Sequence, residues 1–101
     1  MDEEEYLGIW GYTRDGVSNA IKDATVTWDC ETCDSQIGQD VTNVFGYYEI
    51  YLTALGWQAH EGHDLGGTAT HPNYNPAYRS IPDFSYIDIP YGPIDFTLTS
   101  K

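Results

Sequence analysis

The sequence predicts an all-β protein, built as a seven-stranded antiparallel β-sandwich, and three observations support this fold class. Aromatic residues make up 15% of the 101 residues, and nine residues are tyrosines, a composition that favours β-strands. No stretch repeats apolar residues at helical spacing over a dozen positions. Ten glycines and five prolines divide the chain into segments about as long as single strands.

The clearest predicted strand follows a turn within residues 42–53, which read TNVFGYYEIYLT. Apolar and aromatic residues alternate after Gly46, and a period of two is typical of a half-buried strand. Gly46 stands where a hairpin turn requires positive φ, which glycine adopts without steric penalty. One face of this strand is therefore expected in the core, and it carries Tyr48, Ile50 and Leu52.

The remaining strands are predicted from shorter alternating segments bounded by turn residues. The predicted strands cover residues 6–14, 24–29, 39–44, 47–53, 68–71, 78–89 and 94–99. The segment 78–89 is either one interrupted strand or two short ones. This spacing is typical of a two-sheet sandwich, and alternation in the first strand turns Leu7 inward together with Ile9. The predicted core consists of Ile9, Val26, Trp28, Tyr48, Ile50, Leu52, Phe96 and Leu98.

Length and charge limit the domain organisation and the partners. Residues 1–5 are expected to be a disordered acidic arm, and residues 6–101 a single domain. Sixteen acidic against four basic residues give a formal net charge of −12, which would repel a phosphate backbone or an anionic membrane surface. The surplus of acids serves solubility, with divalent-cation binding in acidic loops as the alternative. No apolar run is long enough to cross a bilayer, so neither nucleic-acid binding nor membrane insertion is expected.

Three sequence motifs occur in an order found in a known family. They are Ile9-x-Gly11 with Asp15-Gly16 and Ile21-x-Asp23-Ala24-x-Val26, then Thr42-x-x-x-Gly46-x-Tyr48-x-Ile50, then Ile94-x-Phe96-x-Leu98. Together they resemble the carboxypeptidase regulatory-like domains, which have a transthyretin-like sandwich and are related to collagen-adhesin B-type repeats. The resemblance extends over residues 9–99 and is weakest over 55–89. At Thr13 the family usually has Val, and the connection containing His60 and His63 is longer than usual.

The resemblance implies a non-catalytic accessory or structural module of a larger secreted or cell-surface protein. Its partners would then be other domains of the same protein or a separate protein, and its location extracellular or at the cell surface. The sequence contains no G-x-S-x-G motif and no glycine-rich phosphate loop. We therefore expect no catalytic activity. The resemblance identifies no ligand.

The two cysteines and two of the three histidines form a candidate metal site. Cys30 and Cys33 are a C-x-x-C pair, and His60 and His63 an H-x-x-H pair. Two cysteines with two histidines are a common ligand set of structural zinc. If strands alternate in direction, the connections after the second and fourth strands lie at the same end of the sandwich. The sequence therefore predicts a structural Zn bound by all four residues, with a local disulfide and two free thiols as the alternatives.

Aromatic side chains predicted on outer faces or in loops form a candidate ligand-binding surface. Strand parity places Trp10 and Tyr12 on an outer face, while Trp57 and Tyr74 lie in or beside predicted loops. Flat aromatic rows can stack on sugar rings, and exposed apolar patches often mark contact sites. A carbohydrate-binding module is therefore the alternative to a purely structural role. The same rings could also cover a sheet face or pack against a neighbouring domain.

Overall fold

Seven β-strands in two sheets form the framework of the computed structural model, which describes residues 4–33 and 35–101. The strands are β1 (Glu5–Arg14), β2 (Thr25–Cys30), β3 (Ser35–Val41), β4 (Tyr47–Thr53), β5 (Leu65–His71), β6 (Tyr74–Ile81) and β7 (Phe96–Thr97). A five-residue helix, α1 (Ala54–Gln58), follows β4, and a three-residue 3₁₀ turn covers Tyr86–Asp88. The all-β prediction is confirmed.

The strands divide into a three-stranded sheet in the order β4-β1-β7 and a four-stranded sheet in the order β3-β2-β5-β6. β7 runs parallel to β1, with Thr13 opposite Phe96, so the prediction of a wholly antiparallel arrangement is wrong at this strand. The reason is that the segment before β7 already runs parallel to β1. The Trp10 amide donates to the Tyr91 carbonyl at 3.0 Å, and the Ile94 amide donates to the Trp10 carbonyl at 2.8 Å.

One apolar core lies between the two sheets and takes side chains from both. The ring of Trp28, in the four-stranded sheet, lies 6.2 Å from that of Phe96 in the three-stranded sheet, and Phe96 lies 5.9 Å from Tyr48. All the predicted core residues are buried except Leu52, which is partly buried against the core. Contact between the inner faces of two sheets makes the fold β-sandwich-like.

A bulge in β1 changes which side chains face the core. The register of β1 against β4 shifts between Leu7 and Ile9, an irregularity of the kind that re-aims a side chain. Gly8 is required at this point, because a Cβ atom would collide with the ring of Trp57. The predicted inward orientation of Leu7 is wrong for this reason: Leu7 is half-buried and lines an outer groove together with Trp10.

The chain after β4 is helical, where the sequence predicted a loop. Thr53 caps α1, because its side-chain oxygen accepts a hydrogen bond from the Gly56 amide at 3.1 Å, as favoured N-cap residues do. The helix buries Trp57 completely, and the indole N–H donates to the Tyr6 carbonyl at 2.8 Å. Five residues make less than two helical turns, so they carry no detectable periodicity. Among the described residues, no helix is long and apolar enough to cross a membrane.

The turn before β4 has the predicted glycine geometry but begins earlier than expected. β3 ends at Val41 instead of continuing to residue 44. Asn43 then organises the turn, since its side-chain oxygen accepts hydrogen bonds from the amides of Phe45 at 2.9 Å and Tyr47 at 3.1 Å. Gly46 has a φ of 75°, which confirms the predicted left-handed position.

Several other element boundaries differ from the prediction. β1 already includes Glu5, which was assigned to the acidic arm, and residues 1–3 of that arm lie outside the described residues. β5 begins at Leu65, three positions before the predicted start. β6 passes through Pro76, which an edge strand tolerates because its outward N–H groups need no partner strand. Tyr86–Asp88 form the 3₁₀ turn instead of a strand.

Candidate functional site

The outer face of the three-stranded sheet carries a groove of about 410 Å³, termed the aromatic groove. It is lined by Leu7, Trp10, Tyr12, Asn43, Phe45 and Tyr47. The rings of Trp10, Tyr12 and Tyr47 contact one another, with centroids 5.3 to 6.2 Å apart, within the range that aromatic pairs prefer. A Cβ atom at Gly92 would collide with the indole of Trp10, so the backbone at Gly92 packs directly against this ring.

Strand register brings these side chains to one face. In the β1–β4 ladder, Tyr12 lies opposite Tyr47 and Trp10 lies opposite Glu49, and directly opposed residues project from the same side of a sheet. The outward placement of Trp10 and Tyr12 thus agrees with strand parity. The turn before β4 adds Phe45, whose side chain is 70% exposed. The groove therefore combines rings fixed on strands with one accessible ring on a turn.

A carboxylate lies beside the rings of the aromatic groove. The hydroxyls of Tyr47 and Tyr51 both donate to Oε2 of Glu49, at 2.8 and 3.2 Å. Burial first, and then the hydrogen bond and negative charge of Glu49, raise the pKa of Tyr47 to about 12. The amide of Glu49 donates to Oδ2 of Asp40 at 2.8 Å, so a β3 side chain covers the open edge of β4. The groove thus has a positioned hydrogen-bond acceptor.

A guanidinium group lies next to the same rings. The Arg14 guanidinium is 4.7 Å from the centre of the Tyr12 ring, a distance that allows a cation–π interaction. Arg14 also pairs with Asp95 at 3.2 Å, and Asp95 accepts a hydrogen bond from the Tyr12 amide at 2.9 Å. Chemically, the groove can hold a ligand with a flat apolar face and with hydroxyl or carbonyl groups at its rim.

Two aromatic residues predicted as ligand contacts lie elsewhere. Trp57 is fully buried and uses its indole N–H for Tyr6, so the prediction that it is exposed is wrong. Tyr74 lies on β6 in the other sheet, with its ring edge-on to His71 at a centroid distance of 5.2 Å. Of the four predicted ligand contacts, the structure brings together Trp10 and Tyr12.

A second candidate site lies at the turn after β2, where Cys30 and Cys33 form a disulfide. The potential ligand atoms of these cysteines and His63 all lie within 4.8 Å of one another. His60 is outside this group, and its Nδ1 lies 2.7 Å from the Gly56 carbonyl of α1. The predicted four-residue Zn site is therefore not formed in this state. The disulfide leaves no thiolate, which is the metal-binding form of cysteine, and His60 lies outside the group of close ligand atoms.

Three hydrogen bonds join the Cys30–Cys33 turn to the connection before β5. The Glu31 amide donates to the Asp64 carbonyl at 2.8 Å, and the Asp64 amide donates to Oγ1 of Thr32 at 3.1 Å. Oγ1 of Thr32 is in turn 2.8 Å from Nδ1 of His63, a residue 31 positions away in sequence. The predicted meeting of the connections after the second and fourth strands is confirmed.

Sequence reasoning missed several residues that shape these two sites. The sequence could have predicted that Phe45 is exposed, because it lies in the turn between Asn43 and Gly46. Thr32 and Asp64 carried no such signal. Their role depends on a contact between two distant connections, which local patterns do not encode.

Comparisons with known proteins inform the fold of this chain and leave its family open. No protein-family model matches the chain, and no curated protein matches it. Among solved structures, the chain is similar to the crystal structure of 3-chlorocatechol 1,2-dioxygenase from Rhodococcus opacus 1CP, with 13% sequence identity and a TM-score of 0.63. The match covers 99% of this chain and 62% of the dioxygenase chain. At this identity, the likeness concerns the fold alone.

Proposed function

We propose that this chain is a non-catalytic accessory module of a larger secreted or cell-surface protein, with a transthyretin-like sandwich. The family-like motifs around Ile9, Gly46 and Phe96 support the proposal, because they fall in β1, just before β4 and in β7, the neighbours of one sheet. The Cys30–Cys33 disulfide agrees with an oxidising, extracellular environment.

The aromatic groove is the observation that carries this function. Tyr and Trp are enriched in protein–protein interfaces and in their energetic hot spots. Trp10, Tyr12 and Tyr47 are held in mutual contact on two paired strands, so little side-chain entropy would be lost on binding. Phe45, with 70% of its side chain exposed, offers an apolar anchor. We infer that this groove contacts a protein partner or a neighbouring domain of the parent protein.

Carbohydrate binding is the second candidate function, and the polar rim of the aromatic groove favours it. A sugar ring could lie on the aromatic faces while its hydroxyls donate to Glu49, which already accepts hydrogen bonds from Tyr47 and Tyr51. Ligand sites commonly combine apolar walls with a few positioned polar groups. Asn43 lines the same groove. Its side-chain NH₂ group can donate to a ligand, while its oxygen already accepts from the amides of Phe45 and Tyr47.

A panel of immobilised glycans and soluble polysaccharides distinguishes the two candidates. If the groove binds sugar, Trp10→Ala and Phe45→Ala should abolish retention, while Tyr78→Ala, at a side chain 72% exposed on the four-stranded sheet, should leave it unchanged. Circular dichroism of each variant checks that the fold is kept. Retention that survives both groove variants would exclude the groove as the sugar site. Failure of the wild type to bind any glycan would favour the protein-contact function.

A structural Zn is proposed only for the reduced form of the Cys30–Cys33 turn. Zinc binds thiolates, and the disulfide supplies none. The ligand set would include His63 and omit His60, because the ligand atoms that lie within 4.8 Å of one another belong to Cys30, Cys33 and His63. Such a metal would stabilise the junction of two connections and would take no part in contacts made by the aromatic groove.

A further inference from the structure

We propose that the Cys30–Cys33 turn is a redox-gated zinc site, in which the disulfide excludes the metal and its reduction creates the ligands. In the reduced form, Cys30, Cys33 and His63 bind one Zn²⁺. The observation that carries this proposal is the placement of a histidine beside both sulfurs, with the three ligand atoms within 4.8 Å of one another. The proposal is independent of the function assigned to the aromatic groove, so either can fail alone.

The geometry of the three residues is close to that of a zinc site. Zn–S distances of about 2.3 Å and Zn–N distances of about 2.0–2.1 Å place tetrahedral ligand atoms roughly 3.5–3.8 Å apart. The observed spread of at most 4.8 Å therefore requires shifts on the order of 1–2 Å, once reduction lets the sulfurs separate. The C-x-x-C spacing is itself common in zinc sites. Water would complete the coordination, because Cys33 is exposed to solvent.

The different exposure of the two cysteines defines how reduction proceeds. Cys33 is exposed, whereas Cys30 is only 2% exposed. A thiolate of a dithiol reductant attacks Sγ of Cys33, forms a mixed disulfide and releases Cys30 as a thiolate. The second thiol of the reductant then attacks the reductant's first sulfur in the mixed disulfide and releases Cys33 as a thiolate. The dithiol becomes a disulfide, two electrons pass to the protein, and the two thiol protons go to solvent when Zn²⁺ binds both thiolates.

Backbone and side-chain contacts hold His63 ready for this role. Oγ1 of Thr32 accepts a hydrogen bond from the Asp64 amide at 3.1 Å and lies 2.8 Å from Nδ1 of His63. When Nδ1–H donates to Thr32, Nε2 keeps the lone pair that a metal requires, and metal-bound histidines usually have such a partner for the other nitrogen. Thr32 is thus a positioning residue for the site.

Zinc and the disulfide would connect different parts of the chain. The disulfide closes a loop within one turn, which constrains the unfolded chain little. A metal bound by both cysteines and His63 would instead join connections that are separated by about thirty residues, as Thr32 and His63 are. The net charge of −12 also favours cation binding over anion binding. Metal loading should therefore stabilise the reduced protein.

The test compares oxidised and reduced protein for zinc content. The protein is reduced with a phosphine, desalted without oxygen, incubated with Zn²⁺ and desalted again before elemental analysis. We expect about one equivalent of Zn in the reduced protein and less than about one tenth in the oxidised protein, because only thiolates bind. A parallel titration with Co²⁺ should give thiolate-to-cobalt charge-transfer absorption in the reduced protein alone. Circular dichroism records whether the reduced protein stays folded.

Matched variants identify the ligands. His63→Gln should weaken Zn²⁺ binding by about 10–100-fold or more, because losing a ligand should cost at least as much as losing a ligand's hydrogen-bond partner. Cys33→Ser should abolish binding, and His60→Gln should leave it unchanged. Failure of reduced protein to bind Zn²⁺, or its unfolding on reduction, would overturn the proposal. So would equal Zn²⁺ affinity in the wild type and His63→Gln, since the site would then not contain the histidine that defines it.

Discussion

At the scale of single residues, burial and a neighbouring charge together change the pKa of Tyr47. Its hydroxyl donates to Glu49 at 2.8 Å, and its pKa is raised from 10.0 to about 12, chiefly by burial. Because the folded state favours the protonated phenol, this residue contributes stability below pH 10 and loses that contribution as pH rises through about 12. The shift therefore has its effect on stability above pH 10.

An absorbance titration of tyrosinate formation tests this description of Tyr47. Compared with the wild type, Tyr47→Phe should lack one titration step near pH 12. Glu49→Gln should move the step only part of the way back to 10.0, because burial is the larger cause of the shift. The loss of stability between pH 10 and 12, measured by urea unfolding, should be smaller in Tyr47→Phe. A wild-type Tyr47 that titrates at 10 would contradict the account.

Also at the residue scale, the sequence predicted the outward placement of Trp10 and Tyr12 correctly and the exposure of Trp57 incorrectly. Alternation is a property of the strand backbone, so parity alone placed the first two on the outer face. The burial of Trp57 depends on α1 and on the space left by Gly8. Both are tertiary features, and no local pattern reports them.

At the scale of elements, β1 is the strand on which both the core and the aromatic groove depend. It pairs with β4 on one side and with β7 on the other. The bulge at Gly8 admits the ring of Trp57 from α1 and turns Leu7 toward the groove. Because a Cβ atom at Gly8 would overlap a fully buried ring, a larger residue at this position should destabilise the fold.

Unfolding of two glycine variants tests the role of this bulge. Gly8→Ala should destabilise the protein by about 1–3 kcal/mol, the usual range for overpacking a core. Gly16→Ala is the matched control, because nothing lies within 4 Å of its added Cβ. It should be neutral or stabilising by about 0.4–1 kcal/mol. Similar urea midpoints for the two variants would show that β1 does not pack against Trp57 as described.

Prediction of the secondary-structure elements was reliable where apolar and polar residues alternate clearly. The strands with clear alternation, β1, β2 and β4, were predicted within a few residues of their observed bounds. The helix α1 was missed because its five residues are too few to show a period. The direction of β7 was missed because a strand of two residues pairs according to the route of the preceding segment, which hydrogen-bonds to Trp10.

At the scale of the whole molecule, composition was enough to predict the fold class, while the arrangement of the sheets was not predictable. Tyrosine-rich, glycine-punctuated segments favour β structure. Nearly all the core residues predicted from alternation are buried, but other core residues, such as Trp57, Leu65 and Phe84, were not predicted. Sheet order depends on long-range pairing, such as β1 between β4 and β7. The contact between the Cys30–Cys33 turn and the connection containing His63 was predictable from the alternating strand directions. The oxidation state of the cysteines could not be decided from the sequence.

The proposed function requires that this module makes its contacts through the aromatic groove. Photo-cross-linking in the larger protein proposed to contain this module is a direct test. A benzophenone amino acid is placed at the position of Phe45, which is 70% exposed at the groove, or of Tyr78, which is 72% exposed on the opposite sheet. If the groove is the contact surface, we expect a defined cross-link from position 45, to a neighbouring domain or a partner, and none from position 78. Cross-links from position 78 alone, or equal yields from both positions, would contradict it.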